Sequence, residues 1–223
     1  MRTAPPILVF LYCSLLAAFS QTPSRQAFFL INADYQNVKP LTVNAPALED
    51  LKSSLIAAKF DVREERNFTQ ERLTKDLDQL LLSKLKAGDT LLFYYFGYAI
   101  QSGGDNFLVP VDFDPKKSAA VSFRARSLTG FMQLLDEKQI GLKMILIDAS
   151  AQATELLQPG NATGTGLALP DLTDIKEIAY LSSAAINAPP IPVTDVERAS
   201  FPKQLSALIR KPGTTPLELL AGA

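Results

Sequence analysis

A chain of 223 residues with 47% hydrophobic and 20% charged side chains has the length and apolar content for one sizeable α/β domain and is short for two. Its net charge of −1 gives no overall basis for holding nucleic acid or an anionic membrane surface. It contains no histidine and one cysteine, Cys13.

Residues 1–20 read as a secretory signal, with Arg2 as a minimal basic start and an apolar stretch over residues 7–19. That stretch falls short of the roughly 18–20 apolar residues a spanning helix needs. Ala18-Phe19-Ser20 puts small residues at the two positions a signal peptidase reads, so cleavage is expected after Ser20. Cys13 lacks the preceding small residues of a lipoprotein signal. The expected mature chain, residues 21–223, is a single secreted or periplasmic domain, free of the membrane after cleavage. It would carry no thiol, disulfide or histidine. That excludes the usual zinc sites, whose ligands are mostly Cys and His, and any Cys–His or Ser–His–Asp mechanism. No cofactor is expected.

Residues 26–32 (QAFFLIN) predict a short buried strand, and residues 33–43 a polar loop. Asn44 is placed to cap a helix with Pro46 in its first turn and Leu48, Leu51, Leu55 and Ala58 on one face. Residues 60–62 predict a short strand. Thr69 then caps a helix with Leu73, Leu77, Leu80 and Leu81 as its buried stripe, Lys84 and Lys86 in its last turn and Gly88 ending it. Residues 90–100 are an apolar run, expected to form a strand buried on both faces that surfaces at Tyr98. A turn at Gly103-Gly104 and a second run, residues 107–111, follow. A charged loop (112–126) leads to a helix over residues 127–138 with Leu128, Phe131, Leu134 and Leu135 inward. Residues 143–148 (KMILID) predict another buried strand. Residues 151–173, rich in Gly, Pro, Thr and Ala, are long for a connection. A strand over 178–182, a proline-rich stretch (188–192) and helices over 201–209 and 215–220 close the chain. Strands alternating with amphipathic helices imply a mostly parallel sheet covered on both faces.

Several motifs in this order resemble the caspase-like peptidases (C14): Lys59-Phe60-Asp61-Val62, Ala87-Gly88-Asp89, Phe93-Tyr94-Tyr95-Phe96-Gly97-Tyr98-Ala99, Phe107-Leu108-Val109-Pro110-Val111-Asp112 and Ile147-Asp148-Ala149-Ser150. The resemblance runs from about Gln26 to the C-terminus, and its central segment is specific. It implies the caspase-hemoglobinase-like three-layer sandwich. In that family a histidine ending the third strand is the general base and a cysteine ending the fourth is the nucleophile. Carried over, the histidine position is Tyr98 and the cysteine position is Ser150. The chemistry needs a thiolate formed beside an imidazole that titrates near neutrality. A phenol, losing its proton near pH 10, is a poor base there, and a serine hydroxyl attacks only with a neighbouring base. In relatives specific for arginine and lysine, the pocket acids and the small residue before the histidine fall here on Asp148, Ala47 and Phe96. The arginines with which caspases proper hold an aspartate have no counterpart.

These residues carry structural readings beside the functional ones. Ser150 reads as a strand-terminal serine in place of a lost cysteine. Asp148 is read two ways, as an acid that takes a basic peptide side chain and as a carboxylate satisfied by loop amides. Tyr94, Tyr95 and Phe96 read as core. Gly103-Gly104-Asp105 reads as a hairpin turn rather than a phosphate or calcium loop. Sequons occur at Asn67 and Asn161, and Asn67 and Thr69 have a role at a helix start. The expectation is a secreted pseudo-peptidase that binds a peptide or protein in the former cleft. The alternatives are a hydrolase using Ser150, and a partner subunit forming a homo- or heterodimer with a caspase-like relative through residues 178–220.

Overall fold

The computed structural model describes residues 22–117, 121–150, 166–183, 200–211 and 213. The signal reading, the Asn161 sequon, the proline-rich stretch, the helix over 215–220 and most of the 151–173 connection lie outside them.

The strands are β1 (Arg25–Ile31), β2 (Asp61–Arg66), β3 (Thr90–Ser102), β4 (Asp105–Leu108), β5 (Arg126–Ser127), β6 (Lys143–Ser150) and β7 (Ile178–Ser182). The helices are α1 (Ala45–Ala57), α2 (Leu77–Leu82), α3 (Leu128–Glu137) and α4 (Ser200–Ile209). Five strands run parallel in the order β2-β1-β3-β6-β7, and β4 and β5 extend β3 as an antiparallel hairpin ribbon. The alternation of side chains along a strand divides the core into two layers. Ala27, Phe29 and Ile31 of β1 and Leu92, Tyr94, Phe96 and Tyr98 of β3 pack with Leu48, Leu51 and Leu55 of α1 and Phe201, Leu205 and Leu208 of α4. Phe28, Leu30, Phe93 and Tyr95 pack on the other face with Leu73, Leu77 and Leu81 and with Leu128, Phe131 and Leu135 of α3. A sheet buried on both sides explains why β1, β3 and β6 are near-continuous apolar runs. The expected three-layer sandwich is the observed fold.

Several expectations are corrected in detail. β2 runs on to Arg66, although its sequence, DVREER, is charged. It is an edge strand, and its charges are half-covered by ion pairs such as Lys52–Glu64 (2.6 Å) and Arg72–Glu65 (3.0 Å). A π-helical turn, Arg72–Asp76, precedes α2, which ends at Leu82 rather than Gly88. Asp112 Oδ1 accepts the Gln70 N–H at 2.8 Å, and Thr69 Oγ1 receives only a long 3.5 Å bond from Arg72. Gly88 instead adopts φ +82° in the turn before β3. In α3 Met132 is buried beside Leu128, Phe131 and Leu135, while Leu134 is half-exposed. β3 does not surface at Tyr98, which is 3% exposed, but continues to Ser102. Asn44 caps α1 as expected, its Oδ1 accepting the Ala47 N–H at 3.0 Å.

Candidate functional site

β3 and β6 pair in parallel register from Leu91↔Lys143 to Tyr98↔Ser150, with Phe96 opposite Asp148. From Ala99 onward β3 leaves β6 and pairs with β4. The parallel sheet therefore ends at Tyr98 and Ser150. β1 leads outward to β2, whereas β3, β6 and β7 are laid down on its other side. Beyond the carboxyl ends of strands at such a reversal, open α/β sheets hold their ligands.

Tyr98 is fixed there by its neighbours. Its N–H donates to Tyr35 Oη at 2.8 Å, and its carbonyl accepts from Tyr95 Oη at 2.7 Å and from the Val109 N–H at 3.0 Å. Its own hydroxyl donates to the Lys39 carbonyl at 3.1 Å, tying β3 to the loop after β1. The Tyr35 hydroxyl continues the chain to the Val109 carbonyl at 3.2 Å. Burial, then the neighbouring Tyr95, pushes the Tyr35 phenol well above its ordinary range, and burial likewise raises Tyr95. These phenols stay protonated near neutrality. They serve as further hydrogen-bond donors to the buried Tyr98 and Val109 carbonyls, which also accept from the Val109 N–H and from Asn32 Nδ2. Gly97 is required by the same crowding, since a Cβ there would lie 2.5 Å from Tyr95 Oη and 2.8 Å from Tyr35 Oη.

Beside Phe96 and Asp148 lies a cavity of about 310 Å³, lined also by Thr42, Val43, Asn44, Pro46, Leu48, Tyr94 and Pro202. Three segments build it: the loop after β1 with the first turn of α1, the ends of β3 and β6, and the start of α4. Asp148 is 5% exposed. Its Oδ2 accepts the Tyr94 hydroxyl at 2.6 Å and its Oδ1 accepts the Ser183 hydroxyl at 2.9 Å. Two hydroxyls, those of Tyr94 and Ser183, thus help to hold the carboxylate. The Tyr94 phenol is pushed well above its usual range by burial first, and then by the charge and hydrogen bond of Asp148. Tyr94, Tyr95 and Phe96 are core residues, 0%, 0% and 6% exposed, and two of them also wall the cavity.

Ala47 is 2% exposed in the first turn of α1 and does not line the cavity. Ser183, Thr42, Val43, Leu48 and Pro202 belong to the site or its support and had no signal in the sequence, because they come from loops and helix ends brought together only by the fold. Asp105, in the turn singled out as a hairpin, accepts from Ser127 Oγ (2.5 Å), Thr129 Oγ1 (2.7 Å) and the Thr129 N–H (3.1 Å), and so anchors the start of α3. Asn67 accepts the N–H groups of Ala33 and Asp34, both at 3.1 Å, which gives it a structural role in the loop after β1.

No curated protein matches the chain. The family model of the C14 peptidase caspase domain matches residues 24–207, which includes every strand and nearly all of α4. Matched over most of its length, and with the sheet that the family resemblance implies, the chain belongs to the caspase-domain family of C14 peptidases.

Proposed function

We propose that this protein is a non-cleaving caspase-domain protein, acting outside the cytoplasm, that holds a peptide or protein segment over the carboxyl ends of β3 and β6. The observation that carries this reading is Tyr98. The resemblance places the general base at this position, and here the residue is a tyrosine. Its hydroxyl is engaged by the Lys39 carbonyl and its ring packs edge to face on Tyr35. The chain has no histidine to act from elsewhere. A serine hydroxyl at position 150 needs a base to attack, and Asp148, nearby on β6, accepts hydrogen bonds from the Tyr94 and Ser183 hydroxyls. The cavity next to it supports the binding half of the reading, because concave sites walled by apolar groups with a few polar ones are where ligands are held. The N-terminal segment, read as a secretory signal, supports the location.

The test is labelling of the purified protein with a fluorophosphonate, which marks activated serines. Absence of label on Ser150 from neutral to alkaline pH is expected. Label on Ser150 that disappears in Ser150→Ala would establish the hydrolase reading in its place.

A further inference from the structure

The cavity walled by Phe96 and Asp148 is made mostly from regular elements. Tyr94, Phe96 and Asp148 stand on β3 and β6, Pro46 and Leu48 on α1, and Pro202 on α4. Thr42 and Val43, by contrast, come from the irregular loop after β1, so their placement depends on what fixes that loop. Its first half is tied beyond the end of β4: the Gln36 N–H donates to the Val111 carbonyl at 2.8 Å and Asn37 Nδ2 to the Asp112 carbonyl at 3.2 Å. Nearer the cavity, the Tyr98 hydroxyl donates to the Lys39 carbonyl at 3.1 Å. That carbonyl belongs to the planar Lys39–Pro40 peptide unit, and proline fixes its own φ while restricting the residue before it. Holding the carbonyl therefore sets the direction in which the chain leaves toward Leu41. Leu41 closes the loop, its N–H donating to the Ala33 carbonyl at 2.9 Å and its side chain buried in the core. Thr42 and Val43 follow at once. Lys39 and Pro40 are exposed, so water can replace the Tyr98 hydroxyl at the carbonyl; what the hydroxyl supplies is the loop's position. A wall ordered before the ligand arrives costs the complex less ordering entropy.

We propose that Tyr98 is a positioning residue for ligand binding: its hydroxyl holds the Lys39–Pro40 peptide unit and so pre-orders the Thr42–Val43 wall of the cavity. This rests on the peptide-binding reading above and gives the residue at the base position a role in that function.

In the experiment, heptapeptides are selected by display on the purified mature chain and resynthesised as acetylated amides. Those that shift the backbone NMR signals of Thr42, Val43 and Phe96 are kept. Their affinities, and amide exchange, are then measured for the wild-type chain, Tyr98→Phe and Asp105→Asn. Tyr98→Phe keeps a ring against Tyr35 and removes the hydroxyl. It should bind about fivefold more weakly, and its Leu41 amide should exchange about fivefold faster, while amides of β1, β3 and α3 keep their rates. Asp105→Asn disturbs the start of α3 on the other face of the sheet and should bind as the wild type does. If Tyr98→Phe does not fold, Pro40→Gly, at an exposed position, carries the test with the same two expected changes. An unchanged affinity or an unchanged Leu41 rate in the folded variant would overturn the positioning role and leave the binding function standing. So would an equal loss of affinity in Asp105→Asn. Failure to select any peptide that shifts those signals would overturn both.

Discussion

Tyr35 and Tyr98 meet edge to face, with ring centroids 4.7 Å apart and planes at 62°, and the Tyr35 hydroxyl accepts the Tyr98 backbone N–H at 2.8 Å. The loop after β1 is thereby stitched to the end of β3 twice, once through Tyr35 and once through the Tyr98 hydroxyl on the Lys39 carbonyl. A side chain at this position is being used as a structural pin. An edge-to-face pair adds about 0.5–1.5 kcal/mol to the area buried, so the fold gains stability from the residue at the position that the family resemblance assigns to the base.

Gly97→Ala tests that crowding. The new methyl would lie 2.5 Å from one buried hydroxyl and 2.8 Å from another, in a strand held on both sides. A loss of about 3 kcal/mol in urea unfolding is expected. Part of it should return in a Tyr95→Phe background, which removes the nearer oxygen. An unchanged midpoint would mean that the tyrosines are not packed against Gly97.

Alkali should unfold the protein through its phenols. Four tyrosines, Tyr35, Tyr94, Tyr95 and Tyr98, are buried among the described residues, and burial raises Tyr35, Tyr94 and Tyr95. A group with a raised folded pKa contributes stability that is fully present below its unfolded value, here about pH 10, and is lost as pH rises beyond it. Tyrosinate absorbance from these three should therefore appear together with loss of the circular dichroism signal. Smooth ionisation of all six with the fold intact would contradict their burial.

On the acid side, Asp50 joins α1 to α4. Its carboxylate accepts from Ser206 Oγ at 2.5 Å and pairs with Arg210, while Ser206 also meets Ser54 at 2.8 Å. The Ser206 hydrogen bond first, and then Arg210, lowers its pKa. A depressed carboxylate stabilises above its unfolded pKa, about 3.9, and that contribution is lost as pH falls through the lower folded value. Stability should be nearly flat between about pH 5 and pH 8, there being no histidine to titrate, and should fall below about pH 4. Asp50→Asn should make the acid limb shallower. An unaltered limb would assign it to other lowered carboxylates, such as Glu64 and Asp136.

Placing a histidine and a cysteine where the family resemblance puts the catalytic pair, Tyr98→His with Ser150→Cys, should weaken the fold by about 1–3 kcal/mol, since an imidazole fills less of the space against Tyr35. Peptide cleavage should stay weak, because Phe96 still walls the cavity and Ala47 supplies no second acid. Vigorous cleavage of arginine or lysine peptides by the double variant would show that the cavity accepts cations unaided.

Most of the scaffold was legible in the sequence because local rules decide it. The 91–96 run could be a strand buried on both faces, and Asn44 with Pro46 marked the start of α1. The misread parts are those that tertiary contacts decide. DVREER is a strand because β1 offers it hydrogen bonds and Lys52 and Arg72 cover its charges. α2 stops at Leu82, and the Lys86 N–H is taken by Asp89 at 2.9 Å instead of continuing the helix. The positions of Tyr98 and Asp148 were legible from motif order. That Tyr98 is buried, and that hydroxyls from Tyr94 and Ser183 hold Asp148, depends on partners distant in sequence and could not be read.

The central claim, binding without cleavage, is tested most directly by incubating the purified mature chain with a proteome-derived peptide library and sequencing new termini, beside Ser150→Ala. The two proteins should give the same background of termini. A set of cleavages made by the wild-type chain and abolished in Ser150→Ala would contradict the claim.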